Sequence, residues 1–227
     1  MILAVTQPYF APFRGFFQKA RRADVLVILD DVQFPLGTTW ISRNRFKNDQ
    51  GTLWLTVPVW KKGLGLQNIS QVRICHQGNW RRKFRDSLNT AYRHAPYLHD
   101  HLDGLTDRLG AERLIDLNLW IIGHVLSCLA IDTRLVLLSE LGLEQRGQGL
   151  LLELCRRLGA TTFLAQASAR KYLEPNAFHE MGVDFSTFNV TTPVYPQLWG
   201  DFIGNLSIFD LLFNCGPKAA DLFMGRG

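Results

Sequence analysis

Residues 1–29, MILAVTQPYFAPFRGFFQKARRADVLVIL, decide the fold. An apolar β-branched run at 2–5 reads as a strand. A turn follows that holds Pro8, Pro12, Gly15 and five aromatic residues. A helix-like stretch at 18–23 comes next, then a second apolar run at 25–29. Strand, helix and strand joined this closely are the building unit of a parallel sheet. In open α/β sheets, ligands sit at the carboxyl ends of strands, where loops meet helix N-termini. The turn at 6–17 is such a place. Its prolines stiffen the backbone, and Gly15 allows close backbone approach. Gln7 offers hydrogen bonds to a polar ligand edge, and Arg14 a two-pronged grip on phosphate or carboxylate.

Working outward, apolar runs recur at 53–59, 72–75, 133–138, 161–165 and 183–190. Helical patterns lie between them. Trp80, Phe84, Leu88 and Tyr92 recur every four residues, with Arg and Lys on the other face, so 80–92 reads as an amphipathic helix that Asn79 could cap. Further helices are expected at 97–109, 111–129 and 150–158, the last stopped by Gly159. A final helix at 206–214 would be capped by Ser207 or Asn205 and ended by Gly216-Pro217. Residues 32–75 carry little helix signal and read as a β-rich insertion or hairpin. The expectation is an α/β fold: a Rossmann-like, mostly parallel sheet with flanking helices and a helical insertion. The chain reads as one domain, 1–227, with 79–131 as a helical subdomain.

Nearly half of the 227 residues are apolar, enough for a sizeable core. No apolar run reaches the roughly 18 residues of a membrane span, and no leader pattern is visible at the start. Cys75, Cys128, Cys155 and Cys215 are scattered, which points to reduced thiols and a cytoplasmic setting. Residues 1–100 hold 15 Lys and Arg against 6 Asp and Glu; the remainder holds 10 against 14. A positive field concentrated in the first half attracts phosphates, whether of a nucleotide, a nucleotide-sugar or RNA.

In an extended SRNRFK, Arg43 and Arg45 share one face, able to clamp a diphosphate, and Asn44 faces the other way. Asp30 and Asp31 point to opposite faces and cannot act as a paired-acid site; Asp31 is the candidate general base. Asp210, flanked by Phe209 and Leu211, must be solvated or paired. A metal centre needs at least three converging ligands. In HAPYLHDHLD, His99 and Asp103 share a helix face while His101 points elsewhere, and His124 reads as a satisfied core histidine. No metal and no cofactor is assigned. Cys215 would suit acyl transfer as a nucleophile, but no base adjoins it.

The first loop followed by ADVLVIL resembles the nucleotidylyltransferases, whose loop histidines are replaced here by Arg14, Phe16 and Phe17. A closer resemblance joins QPYFAPFRGFF, LDDVQF, ISRNRFKNDQGTLWLTVPV, NWRRKFRDSLNTAYRHAPYL and GNLSIFDLLFNCGP, in that order. Over roughly residues 2–218 the chain resembles the WbqC-like family, bacterial proteins often encoded among genes for O-antigen and other surface polysaccharides. The namesake is regarded as a glycyl transferase acting on an amino sugar. Carried onto this sequence, the resemblance implicates Gln7, Asp31, Arg43, Asn44, Arg45, Tyr195, Gln197, Asn205 and Asp210. In AQASARKYL, where relatives tend to glycine, this chain has Ala167, Ser168 and Ala169, which leaves Ser168, Arg170 and Tyr172 to bind through side chains.

The function expected is transfer of a glycyl or other acyl group to the amine of a nucleotide-linked sugar. Arg14, Arg43 and Arg45 would face the diphosphate. Gln7, Asn44, Asn205, Tyr195 and Gln197 would orient polar groups, with Asp31 and Asp210 as catalytic carboxylates. The partners implied are a nucleotide-linked sugar and an aminoacyl or acyl donor. The alternatives are an ATP-dependent nucleotidylyltransferase- or ligase-like enzyme and a non-enzymatic RNA-binding factor.

Overall fold

A computed structural model describes residues 1–225. In chain order the elements are β1 (Ile2–Thr6), α1 (Arg14–Arg22), β2 (Val25–Ile28), β3 (Arg43–Asn48) and β4 (Gly51–Thr56). Next come α2 (Trp80–Tyr92), α3 (Leu98–Arg108), α4 (Leu114–Cys128), β5 (Arg134–Leu137) and α5 (Gly147–Leu158). The chain continues with β6 (Thr162–Gln166), α6 (Pro175–His179), β7 (Asp184–Phe188), α7 (Ile208–Cys215) and α8 (Ala219–Met224). They fall into two compact units, residues 1–7, 15–31 and 131–191 in one and, of the described residues, 8–14, 32–130 and 192–225 in the other.

The first unit is built on a five-stranded sheet of order β5-β2-β1-β6-β7. Every neighbouring pair is parallel. This is the expected Rossmann-like α/β sheet. Strands buried on both faces read as unbroken apolar runs, and all four residues of β2, VLVI, are buried. β1 lies at the centre, and the strand order reverses between it and β6. Phe163 of β6 stacks on Phe178 of α6 at 4.8 Å. Gly159, with φ of +68°, ends α5 in the left-handed conformation that glycine adopts without strain.

The second unit packs α2, α3, α4 and α7 with the antiparallel hairpin β3–β4, in which Arg45 pairs with Trp54. Its core includes Phe10, Phe46, Phe84, Tyr92, Phe209 and Phe213, all nearly inaccessible. The insertion over 79–131 is helical as expected, and α2 has the bounds its four-residue apolar repeat gave. Residues 8–14 belong to this unit and are backbone-satisfied there. Asn44 Nδ2 donates to the carbonyls of Phe10 and Ala11 at 2.9 and 2.8 Å, and Asn118 Nδ2 to that of Pro8 at 2.7 Å.

Two local expectations change. Residues 72–75 form no strand: Ile74 and Arg73 make single bridges to Val59 and Arg113, with no continuous ladder partner. Asn79 precedes α2, but its side chain makes no capping bond. Gly216-Pro217 ends α7 as expected, with Gly216 at its C-cap, and the chain then turns through Gly216–Lys218 into one more helix, α8. Ser207 does cap α7, accepting from the Phe209 amide. Among the described residues, no helix is long and apolar enough to cross a membrane.

Candidate functional site

In the sheet unit, Gln7 follows β1 at the carboxyl edge, next to the reversal of strand order. The short turn Ala167–Lys171 follows β6 at the same edge. Tyr172 is 84% exposed beyond it. The two aspartates after β2 diverge. Asp30 is buried and accepts from the Ser139 amide at 3.0 Å and the Ser139 hydroxyl at 2.6 Å. Asp31 is half-buried, and its carbonyl accepts from Arg146. Lys19 on α1 donates to the Val5 carbonyl at 3.0 Å, and burial lowers its pKa to about 8.

In the second unit, Arg43, Arg45 and Lys47 alternate along β3 and so share one face. The Arg43 guanidinium lies 3.8 Å over the Trp54 ring, and that of Arg45 5.8 Å from Trp40. The two indoles contact each other at 5.3 Å. Both indoles are 43% exposed. The result is a continuous row, Arg43–Trp54–Trp40–Arg45. Arg45 also donates to the Asn205 carbonyl at 2.9 Å. Arg43 makes no hydrogen bond or ion pair through its side chain among the described residues. A planar cation over an indole face is held by the ring quadrupole and keeps its in-plane N–H groups for an anion.

Lys47, third on this face, is buried under residues 197–203. Its ammonium donates to the Asp201 carbonyl at 2.7 Å and to Gln197 Oε1 at 3.1 Å. Burial lowers its pKa, opposed by the charges of Asp210 and Asp201. Gln197 Nε2 in turn donates to Asp210 Oδ2 at 2.8 Å. The hydroxyls of Tyr195 and Tyr92 donate to the same carboxylate at 2.7 and 2.8 Å. Tyr92 OH accepts from the Lys47 amide at 2.8 Å, closing the network. Burial pushes the Asp210 carboxyl upward, while the donors from Tyr195, Tyr92 and Gln197 and the Lys47 charge pull it down. Asp210 has no exposed surface, so it reaches any ligand only through the residues it holds. Lys47, Asp49, Trp199 and Asp201 line an open cleft of ≈ 380 Å³. Trp199 adopts a left-handed φ of +62° there, a backbone cost that the surrounding contacts sustain.

The structure thus joins Tyr195, Gln197 and Asp210 in one network, and Arg43, Arg45 and Asn205 in another group. Asn44 lies on the opposite face of β3, as its register required, with its amide committed to the loop at 8–14. Arg14 is buried and donates to the Phe223 carbonyl at 2.6 Å, at the C-terminal end of α8, where the helix dipole favours a cation. Gln7 and Asp31 belong to the sheet unit. Sequence reasoning missed Lys47 and both indoles as members of these groups. Their signal was the two-residue alternation of β3 and the Arg45–Trp54 register.

A five-stranded parallel sheet with this order defines an α/β protein of Rossmann-like topology. The sequence comparisons are narrower. Residues 7–222 match the WbqC-like protein family, and the chain belongs to it. It is 32% identical over 223 residues, 96% of each chain, to an uncharacterized protein of Mycobacterium tuberculosis strain H37Rv. No solved structure matches it.

Proposed function

We propose that this protein is a transferase of surface-polysaccharide biosynthesis that places a glycyl or other acyl group on the amine of a nucleotide-linked sugar. The observation that carries this reading is the row Arg43–Trp54–Trp40–Arg45. Exposed indole faces accept the flat face of a base or the C–H face of a sugar. A guanidinium without an anionic partner beside them suits a diphosphate. Arg14 and Asn44, committed to backbone carbonyls, support the fold in this assignment and do not touch ligand. Asn205 fixes Arg45. Asp210 positions Tyr195, Gln197 and Lys47 beside the cleft. Asp31, half-buried beyond the end of β2, stays a candidate general base of the sheet unit alone. Gln7 is assigned to a polar ligand group at the sheet edge.

The test is titration calorimetry with a set of amino-sugar nucleotides, followed by Arg43→Ala. Binding in the wild type that falls at least tenfold in the variant supports the reading; no binding to any of the set overturns it. The same row also favours a second reading, single-stranded RNA, because aromatic platforms between cations stack bases without sequence preference. RNA affinity that falls steeply with salt and exceeds that for the nucleotide-sugars would move the function there.

A further inference from the structure

The helices of the second unit bring together three side chains that the proposed transferase does not use. His101 comes from α3; His124 and Cys128 lie one turn apart on α4. His101 Nδ1 is 3.0 Å from His124 Nε2, and Cys128 Sγ is 3.7 Å from the same nitrogen. All three ligand atoms fall within 4.8 Å of one another. A tetrahedral zinc ion, with bonds of roughly 2.0–2.1 Å to nitrogen and 2.3 Å to sulfur, spaces its ligand atoms about 3.3–3.7 Å apart. Closing the cluster onto an ion therefore takes shifts of well under 1 Å for the His101–His124 and Cys128–His124 pairs.

The surroundings hold the ligands in place. Trp120 stacks on the His124 ring at 5.2 Å and 7°, and Phe209 lies against its ring at 6.3 Å and 14°. Phe213 packs against His101 at 6.2 Å. Gly104 of α3 faces Trp120 so closely that an added Cβ would sit 3.3 Å from the indole, so its lack of a side chain lets that indole seat. His124 and Cys128 are only partly buried, and their neighbours Gly123 and Ser127 are exposed, which leaves a path from solvent.

We propose that His101, His124 and Cys128 form a binding site for a borderline-soft divalent metal ion, zinc by ligand type, that ties α3 to α4. Two imidazoles and a thiolate suit zinc over magnesium or calcium, which prefer oxygen. On binding, the Cys128 thiol releases its proton to solvent as the sulfur–metal bond forms. Three protein ligands leave a fourth position open to water or another ligand.

Cobalt(II) titration of tag-free, chelator-treated protein tests this directly. One equivalent should bind with a thiolate-to-cobalt charge-transfer band in the near ultraviolet, and zinc should displace it. Cys128→Ser should abolish the band, and His124→Gln should weaken binding by more than the roughly 10–100-fold typical of lost outer-shell partners. His99→Ala, on the exposed face of α3, should bind like wild type. Far-ultraviolet circular dichroism of each variant without metal checks that it folds. No band in the folded wild-type protein, or an equal band in folded Cys128→Ser from Cys75, Cys155 or Cys215, overturns the site.

Discussion

The two units bury polar groups in different ways. In the sheet unit the buried Asp30 and Gln18 and the half-buried Lys19 each meet a single partner residue. Asp30 is satisfied by Ser139 alone, Gln18 by the main chain and hydroxyl of Thr191, and Lys19 by one carbonyl. In the second unit one carboxylate gathers donors from α2 and from residues 195–197, with Lys47 of β3 linked through Gln197. A fully satisfied buried network specifies one arrangement of its elements, and it concentrates the cost of any loss at its shared member. In the sheet unit, removing the Lys19 charge, held by one carbonyl, should help; in the second unit, removing the shared carboxylate should be costly.

The largest effect should follow from breaking the network. Asp210→Ala leaves Tyr92, Tyr195 and Gln197 without their shared acceptor and Lys47 without its counter-charge. A loss of about 3–5 kcal/mol in urea unfolding is expected; a loss under about 1 kcal/mol would show the network to be passive. The opposite sign is expected in the sheet unit. Lys19 has a folded pKa of about 8, below the ordinary value of 10.5. The unfolded chain therefore holds more protons between those values, and wild-type stability rises with pH across them. Lys19→Met removes the penalty, so it should gain up to about 3 kcal/mol at pH 7. That advantage should shrink as pH rises through 8, and an advantage independent of pH would assign it to packing.

A third test probes how tightly the second unit is filled. Gly216 has φ of +50°, and an added Cβ would lie 2.4 Å from the Tyr97 ring. Gly216→Ala should cost about 2–3 kcal/mol through backbone strain and overpacking, read as a lower unfolding midpoint. The smallest stability effect should come from the exposed row. Trp54→Ala removes the Arg43 cation–π contact and the Trp40 ring contact and should cost about 1–2 kcal/mol, while nucleotide-sugar binding falls at least tenfold. Equal losses of stability and binding would make the row structural.

The sheet was legible because its strands are short apolar runs separated by helical periodicity, and β1, β2, β5, β6 and β7 all carry that pattern. The hairpin was legible only in part. Arg43 and Arg45 read as one face, but nothing local says that Lys47, next on that face, is covered by residues from 197–203. Residues 72–75 misled because Val-Arg-Ile-Cys alternates like a strand, while pairing depends on a partner that sequence does not name. Asp210 announced itself as a carboxylate between apolar neighbours; its donors, Tyr92 and Tyr195, could not be matched to it without the fold. The histidines of 94–101 were read along one helix, where His99 and Asp103 are the natural neighbours. His101 instead meets His124 across two helices, a contact that helical spacing cannot predict.

The central place of β1 also sets an order of events during synthesis. Its two neighbours are β2, made almost at once, and β6, which begins at Thr162. At roughly 5–20 residues per second on the ribosome, one edge of β1 waits on the order of ten to thirty seconds for its partner. Throughout that interval most of the second unit is being translated. The nascent chain therefore carries an open parallel edge past a domain's worth of new sequence, and the ribosome-bound intermediate is where a chaperone would first find something to hold.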